Sequence, residues 1–143
     1  PSEKHLYVVG DQIGEIMMHD IDVDGNIGPM IQRVPVAAGP SGVVVSVDER
    51  SLYTYNYAAG SISAFNLSAA TGQLSTLAEY SIGGNATGLA IDEGAQFVAA
   101  TSSVNATVVV LQRNLLTGEL TERQRFAVCS SGVPTSVSMI TTP

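Results

Sequence analysis

The stretch Leu52-Tyr-Thr-Tyr-Asn-Tyr-Ala-Ala-Gly-Ser-Ile-Ser-Ala-Phe-Asn-Leu67, continued by Thr71-Gly72-Gln73-Leu74, reads as strand, short turn, strand, and a tight turn into a further strand. Its aromatic first half suits a pleated, packed surface. Ala58-Ala59-Gly60 turns the chain into Ser61–Leu67, and Ser68–Gly72 turns it again. The glycine of that second turn accepts the positive φ such turns often need. Leu74–Ile82 is the next strand. Upstream, Val43–Val47 is an apolar run with one serine, as expected for a strand covered on both faces, and Asp48-Glu49-Arg50-Ser51 is its turn. Four short strands make one unit, and no helical periodicity interrupts it.

The unit recurs. Aligned on their turn glycines, Asp24-Gly25-Asn26-Ile27, Thr71-Gly72-Gln73-Leu74 and Thr117-Gly118-Glu119-Leu120 fall 47 and 46 residues apart. Ile16, Ile62 and Val108 form a column at a spacing of 46, as do Val36, Ile82 and Val128. Tyr7, Tyr53 and Phe97 form another, at 46 and 44. The third copy offers Leu89–Ile91, Gln96–Thr101, Thr107–Gln112 and Glu119–Val128 as strands. The first copy begins at His5-Leu-Tyr-Val-Val9 and lacks its first strand, for which Thr135–Ile140 aligns as the orphan counterpart.

Antiparallel four-stranded repeats of this length describe an all-β fold, a β-propeller. The repeats run roughly 1–41, 42–87 and 88–143, within a single domain of 143 residues. Three blades fall short of the four or more that close a ring. The expectation is therefore either a two-fold homodimer of six blades closed by strand exchange, or a portion of a longer propeller. In either case the Thr135–Ile140 strand closes a first blade, its own or a partner's, and covers an open sheet edge.

Composition narrows the function. A hydrophobic fraction of 45% with 13% charged residues excludes a disordered chain. A net charge of −7 disfavours nucleic acid and anionic membrane surfaces, which need clustered Lys and Arg. No apolar run approaches the roughly 18 residues that span a bilayer. The single Cys129 excludes an internal disulfide and leaves the compartment undecided. Asn66, Asn85 and Asn105 open N-x-S/T triplets, which matter only in a secreted protein.

The wording Asp48-Glu-Arg-Ser-Leu-Tyr-Thr-Tyr-Asn-Tyr57, followed by Gly60-Ser-Ile-Ser-Ala-Phe65 and Thr71-Gly-Gln-Leu74, resembles the lactonase family of seven-bladed propellers. That family includes the propeller-type 6-phosphogluconolactonases and carboxymuconate cyclases. The resemblance covers nearly the whole chain at blade level. It implies a hydrolase of carbohydrate metabolism, acting on a small polar molecule such as a sugar lactone. A Pro-x-His cluster common in the family is replaced here by Gly39-Pro-Ser-Gly42, Asn85-Ala-Thr-Gly88 and Val133-Pro-Thr-Ser136. The family's Asn after the second strand stands at Asn56, with equivalents near Gly10 and Thr101.

In a propeller, the loops entering the first strand and those joining the second and third strands crowd one face around the channel. Here these are Gly10–Ile13, Ala37–Gly42, Asn56–Gly60, Gly83–Gly88, Thr101–Ala106 and Cys129–Thr135, and Asp11 is their one charged residue. Lactone hydrolysis needs a base for water and donors for an oxyanion. Asp11 is the candidate base; Ser41, Asn56, Asn85, Thr87, Ser130 and Ser131 are candidate substrate-binding donors, against a plain reading as turn and capping residues. A neutral polar face equally suits a non-catalytic propeller binding carbohydrate or peptide. No cofactor is expected and no metal motif is complete. Asp20, Asp22 and Asp24 with Gly25 imitate the start of a calcium loop but lack its distal glutamate. His19, in a column with Phe65 and Leu111, is expected to pack in the core, and His5 to sit at the opposite rim.

Overall fold

The computed structural model describes residues 4–128 and 134–140. Eleven strands form three antiparallel sheets. The first holds β1 (Lys4–Gly10), β2 (Glu15–Ile21) and β3 (Ile27–Pro35); the second holds β4 (Pro40–Val45), β5 (Ser51–Asn56), β6 (Ser61–Leu67) and β7 (Leu74–Ser81). The third holds β8 (Ala86–Ile91), β9 (Phe97–Ser102), β10 (Thr107–Arg113) and β11 (Leu120–Ala127). Strands are paired in chain order, the meander of a propeller blade.

The repeat extends to irregularities. The ladder between the last two strands of each blade slips after Met18, Ala64 and Val110, positions 46 apart. The ladder of the first strand slips between Pro40 and Gly42, and again between Ala86 and Gly88. A bulge strengthens local twist, and its repetition gives each blade the same twist. At Gly42 a side chain would overlap the Tyr55 ring, so glycine is needed where the bulged strand meets its neighbour.

Register corrects two columns. Tyr53 pairs with Ala64 as Tyr7 pairs with Met18, and the third-copy counterpart is Ala99, paired with Val110, rather than Phe97. Likewise Asn56 pairs with Ser61 as Ser102 pairs with Thr107, so the equivalent of Asn56 is Ser102 rather than Thr101. Aromatic side chains in the three copies do not occupy equivalent positions; backbone pairing fixes which residues correspond.

Two cores lie between blades. Ile16, Val34, Leu52, Phe65 and Leu74 fill the first seam. Tyr53, Ile62, Ala64, Ile82, Val98, Val109 and Leu111 fill the second. At the inner side β4 touches both β1 and β8, whereas the outer strands β3 and β7 barely meet. The blades therefore converge on the edge formed by β1, β4 and β8, which faces the channel.

Residues 134–140 depart from expectation. Read as a strand closing the first blade, they carry no strand pairing, and the first sheet has three strands among the described residues. Thr87 Oγ1 donates to Pro134 O at 2.6 Å, and a Cβ on Gly88 would stand 2.9 Å from Ser136 Cα. The segment thus lies beside β8, where the first strand of a following blade belongs. The Thr87 hydroxyl, which finds its acceptor in Pro134 O, and the bare backbone surface at Gly88 hold the segment there.

Candidate functional site at the channel face

One end of the blades is laced by backbone hydrogen bonds that repeat with the sequence. Val36 N, Ile82 N and Val128 N donate to Gly14 O, Gly60 O and Ala106 O, each at 2.9 Å. Tyr57 N donates to Gly39 O at 2.6 Å, and Ser103 N to Asn85 O at 2.9 Å. Of the turns between second and third strands, those of the second and third blades are thereby tied on both sides, and that of the first, through Gly14 O, on one. These loops stand on one face and are held chiefly by the backbone, with Ser41, Thr87, Ser103 and Asn105 adding side-chain bonds to loop carbonyls.

Asp11 lies in the first of these turns and is exposed. Ser41, at the start of β4, is exposed and donates to Gly39 O at 3.0 Å. Thr87, in the equivalent place on β8, is half-buried; besides its bond to Pro134 O, its hydroxyl lies 3.0 Å from that of Thr101. Asn85 is half-buried, and among the described residues only its backbone carbonyl is engaged. Asp11, Ser41, Asn85 and Thr87 therefore share the face. Ser130 and Ser131 lie outside the described residues.

Asn56 is different. It is fully buried, its Nδ2 donates to Ser61 Oγ and Ser63 Oγ at 3.1 and 2.8 Å, and its Oδ1 accepts from Thr54 Oγ1 at 3.1 Å. This corrects the expectation of ligand contact. The amide braces the turn from beneath and has no surface left for a substrate.

The opposite end carries the charge, and the structure explains why. Asp22 accepts from the N–H groups of Asp24 and Asn26 and from Asn26 Nδ2, at 2.8–2.9 Å. The Asn26 bonds, side chain first, hold the Asp22 carboxyl below its usual range. Asp20 instead faces His5 at 3.0 Å. Asp22 and Asp24 thus serve the turn and Asp20 the hydrogen bond with His5, and no cluster of metal-ligand type occurs among the described residues. His19 is half-buried with Nδ1 3.1 Å from Gly28 O, so it is partly packed and anchored to the neighbouring strand.

The sequence reading missed the main polar device of this end, Arg113. Its side chain is buried, and its guanidinium bonds Asp48 twice (2.8 and 3.2 Å), Ser51 Oγ (2.9 Å), Tyr53 Oη (3.1 Å) and Ala95 O (3.2 Å). Tyr53 Oη in turn donates to Gly118 O at 2.7 Å. Burial pushes the Asp48 carboxyl up, but bonds from Arg113 and Ser46 and the guanidinium charge bring it below its usual range. Burial raises the Tyr53 phenol. This clasp locks the second seam. At the first seam Tyr7 Oη makes the matching bond to Gly72 O at 2.6 Å, but the position of Arg113 is Leu67. A cleft of about 620 Å³ opens there, lined by Lys4, His5, Tyr7, Glu49 and Leu67 among others. It is the larger described cleft, yet it lies on the face away from Asp11. It falls at the seam beside the first sheet, which has three strands among the described residues, so we assign it to incomplete seam filling rather than to chemistry.

A family model described as lactonase, seven-bladed β-propeller, matches residues 1–139. The chain belongs to the lactonase family. Among solved structures, a 6-phosphogluconolactonase candidate from Bacteroides fragilis is similar with a TM-score of 0.84 at 19% identity, covering 93% of this chain and 38% of that one. A second such candidate, from Bacteroides uniformis, is similar at 0.81 and 23% identity, covering 87% and 38%. The periplasmic gluconolactonase of Pseudomonas aeruginosa is similar at 0.80 and 21% identity, covering 92% and 40%. The chain thus spans about two-fifths of the length of these lactonase-type structures, as three blades of seven would. No curated protein matches it significantly.

Proposed function

We propose that this chain supplies three consecutive blades of one seven-bladed ring that hydrolyses a lactone at its channel mouth. The family match across the chain carries the reading, because it falls on blades whose channel-side loops gather a carboxylate with short polar side chains. The lactonase names of the similar structures support it. We favour a single seven-bladed ring over the six-bladed homodimer, since seven is the blade number of the matching family.

In this reading Asp11 is the general base. Its carboxylate takes a proton from water while the water oxygen bonds to the lactone carbonyl carbon. Hydrogen-bond donors at the mouth stabilise the tetrahedral oxyanion, with the Asn85 amide and the hydroxyls of Ser130 and Ser131 as candidates; the Ser41 and Thr87 hydroxyls donate to Gly39 O and Pro134 O and serve only by turning from those bonds. Collapse breaks the ring C–O bond, and the leaving alkoxide recovers the proton from Asp11, giving the hydroxy acid. Positioned proton transfer contributes about 10²–10⁴ in rate, so Asp11→Asn lowers kcat of the complete ring by a factor in that range. Unchanged turnover in Asp11→Asn removes Asp11 from the mechanism. A second reading, a carbohydrate- or peptide-binding ring without catalysis, is favoured by the scarcity of titratable groups on this face; absence of turnover across a lactone panel decides for it.

A further inference from the structure

We infer that the channel face of these blades receives an uncharged lactone bearing a hydrocarbon portion, not a phosphorylated one; the inference rests on the lactonase reading above. A phosphoryl group is recognised by Arg or Lys, or by the N–H groups of a helix start. The chain has six such cations, and none stands free at the channel mouth. Lys4 opens β1, and Arg50 sits in the turn between β4 and β5, both at the far end. Arg113 is consumed in the buried clasp. Arg123 reaches Gln112 on the exposed outer strands. Arg33 is paired with Glu15, and Arg125 with Glu122, each at 2.9 Å; both pairs lie toward this end on the outer strands, and Arg125 is further spent on Ile82 O beside the Gly83 loop. No helix occurs among the described residues. Asp11, the one charge in the turns and entry loops of this face, repels a phosphate.

Where cations are missing, apolar side chains stand. Ile13, Tyr57 and Val104 are 53%, 46% and 65% exposed. They occupy the turns between second and third strands of the three successive blades. These tips are built in. Gly10 leaves the space that the Ile13 side chain occupies, and a Cβ on Gly84 would stand 2.7 Å from Val104 Cβ. The backbone bonds described above hold the turns, so polar residues would serve the turn equally well. Exposed apolar residues also occur at the opposite end, where Val23, Val47, Leu115 and Leu116 stand among Asp22, Asp24, Asp48, Asn114 and Glu119; there they are interspersed with charge, whereas the channel-side turns carry Asp11 alone. An apolar rim around a neutral polar mouth fits a ring ester that enters carbonyl first and leaves a hydrocarbon substituent against the turns.

The test uses the complete ring and three δ-lactones: an alkyl-substituted one such as δ-decalactone, glucono-δ-lactone, and its 6-phosphate. The expected result is the highest kcat/KM on the alkyl lactone. Val104→Asp raises KM for that substrate about tenfold, or 1.4 kcal/mol, and leaves kcat near its original value. Preference for the phosphorylated or the unsubstituted sugar lactone overturns the inference and leaves the lactonase reading standing. If no lactone is turned over, that reading falls, and calorimetric titration with the same three compounds decides the inference alone. Selective binding of the alkyl lactone, weakened by Val104→Asp, upholds it; no binding, or binding indifferent to the substitution, overturns it.

Discussion

Replacing Arg113 by methionine gives the sharpest test of how the blades are held together. Methionine keeps most of the buried volume, so the loss is mainly that of the guanidinium. Five hydrogen bonds disappear with it. Ala95 O and Ser51 Oγ each lose a donor, and an unmade buried bond costs about 1–3 kcal/mol. The Asp48 side chain is 31% exposed, so water recovers part of its charge solvation. The sum falls near 3 kcal/mol, the lower end for breaking a buried ion pair. With an m value of about 2 kcal/mol/M, the urea midpoint drops by about 1.5 M. Arg113→Lys keeps a point charge but loses the planar fork, and falls by roughly half as much. Urea titrations of Arg113→Met, Asp48→Asn and the double variant measure the coupling directly. A midpoint shift below about 0.5 M, or additive single effects, refutes the claim that this clasp holds the second seam.

Asp48 also gives the seam a pH dependence. Its carboxyl is lowered in the folded state, so its stabilising contribution is present above the unfolded value near 3.9 and is lost as pH falls through the lower folded value; unfolding curves from pH 6 to 2 should show a steeper loss in the original protein than in Asp48→Asn. Tyr53→Phe removes bonds to both Gly118 O and Arg113 and costs about 2 kcal/mol, whereas Tyr7→Phe removes one bond and costs about 1 kcal/mol, in the same titrations. Gly84→Ala sets a Cβ 2.7 Å from Val104 and 2.9 Å from Ser102 Oγ and lowers stability by about 1–3 kcal/mol, while Gly25→Ala, at φ 86° with open space around it, shows backbone strain of about 1 kcal/mol alone; Tm differences rank the two.

The blade architecture was legible because each strand is short, alternates with turn chemistry, and recurs at 46 residues, a period that bulges and ties follow equally. The face bearing Asp11, Ser41, Asn85 and Thr87 was legible for the same reason, since equivalent loops of a repeat must stand at the same end. Asn56 was misread as a ligand group because a short polar side chain after a strand looks alike whether it faces solvent or lies beneath a turn. Arg113 carried no signal at all. Its column holds Leu67 and Ile21, so repetition argued for an apolar residue there.

The sequence by itself determined what is local and periodic: four-stranded units, their turns, the polarity of each loop, and the family wording. Those follow from hydrophobic alternation and turn preference, which act over a few residues. Only the tertiary structure decided which partners meet across a seam. Arg113 and Asp48 are 65 residues apart, as are Tyr53 and Gly118, and residues 134–140 settle beside β8 rather than β1. Such pairings depend on how one sheet twists against the next and on the reach of each connection, and neither is written in any single stretch of chain.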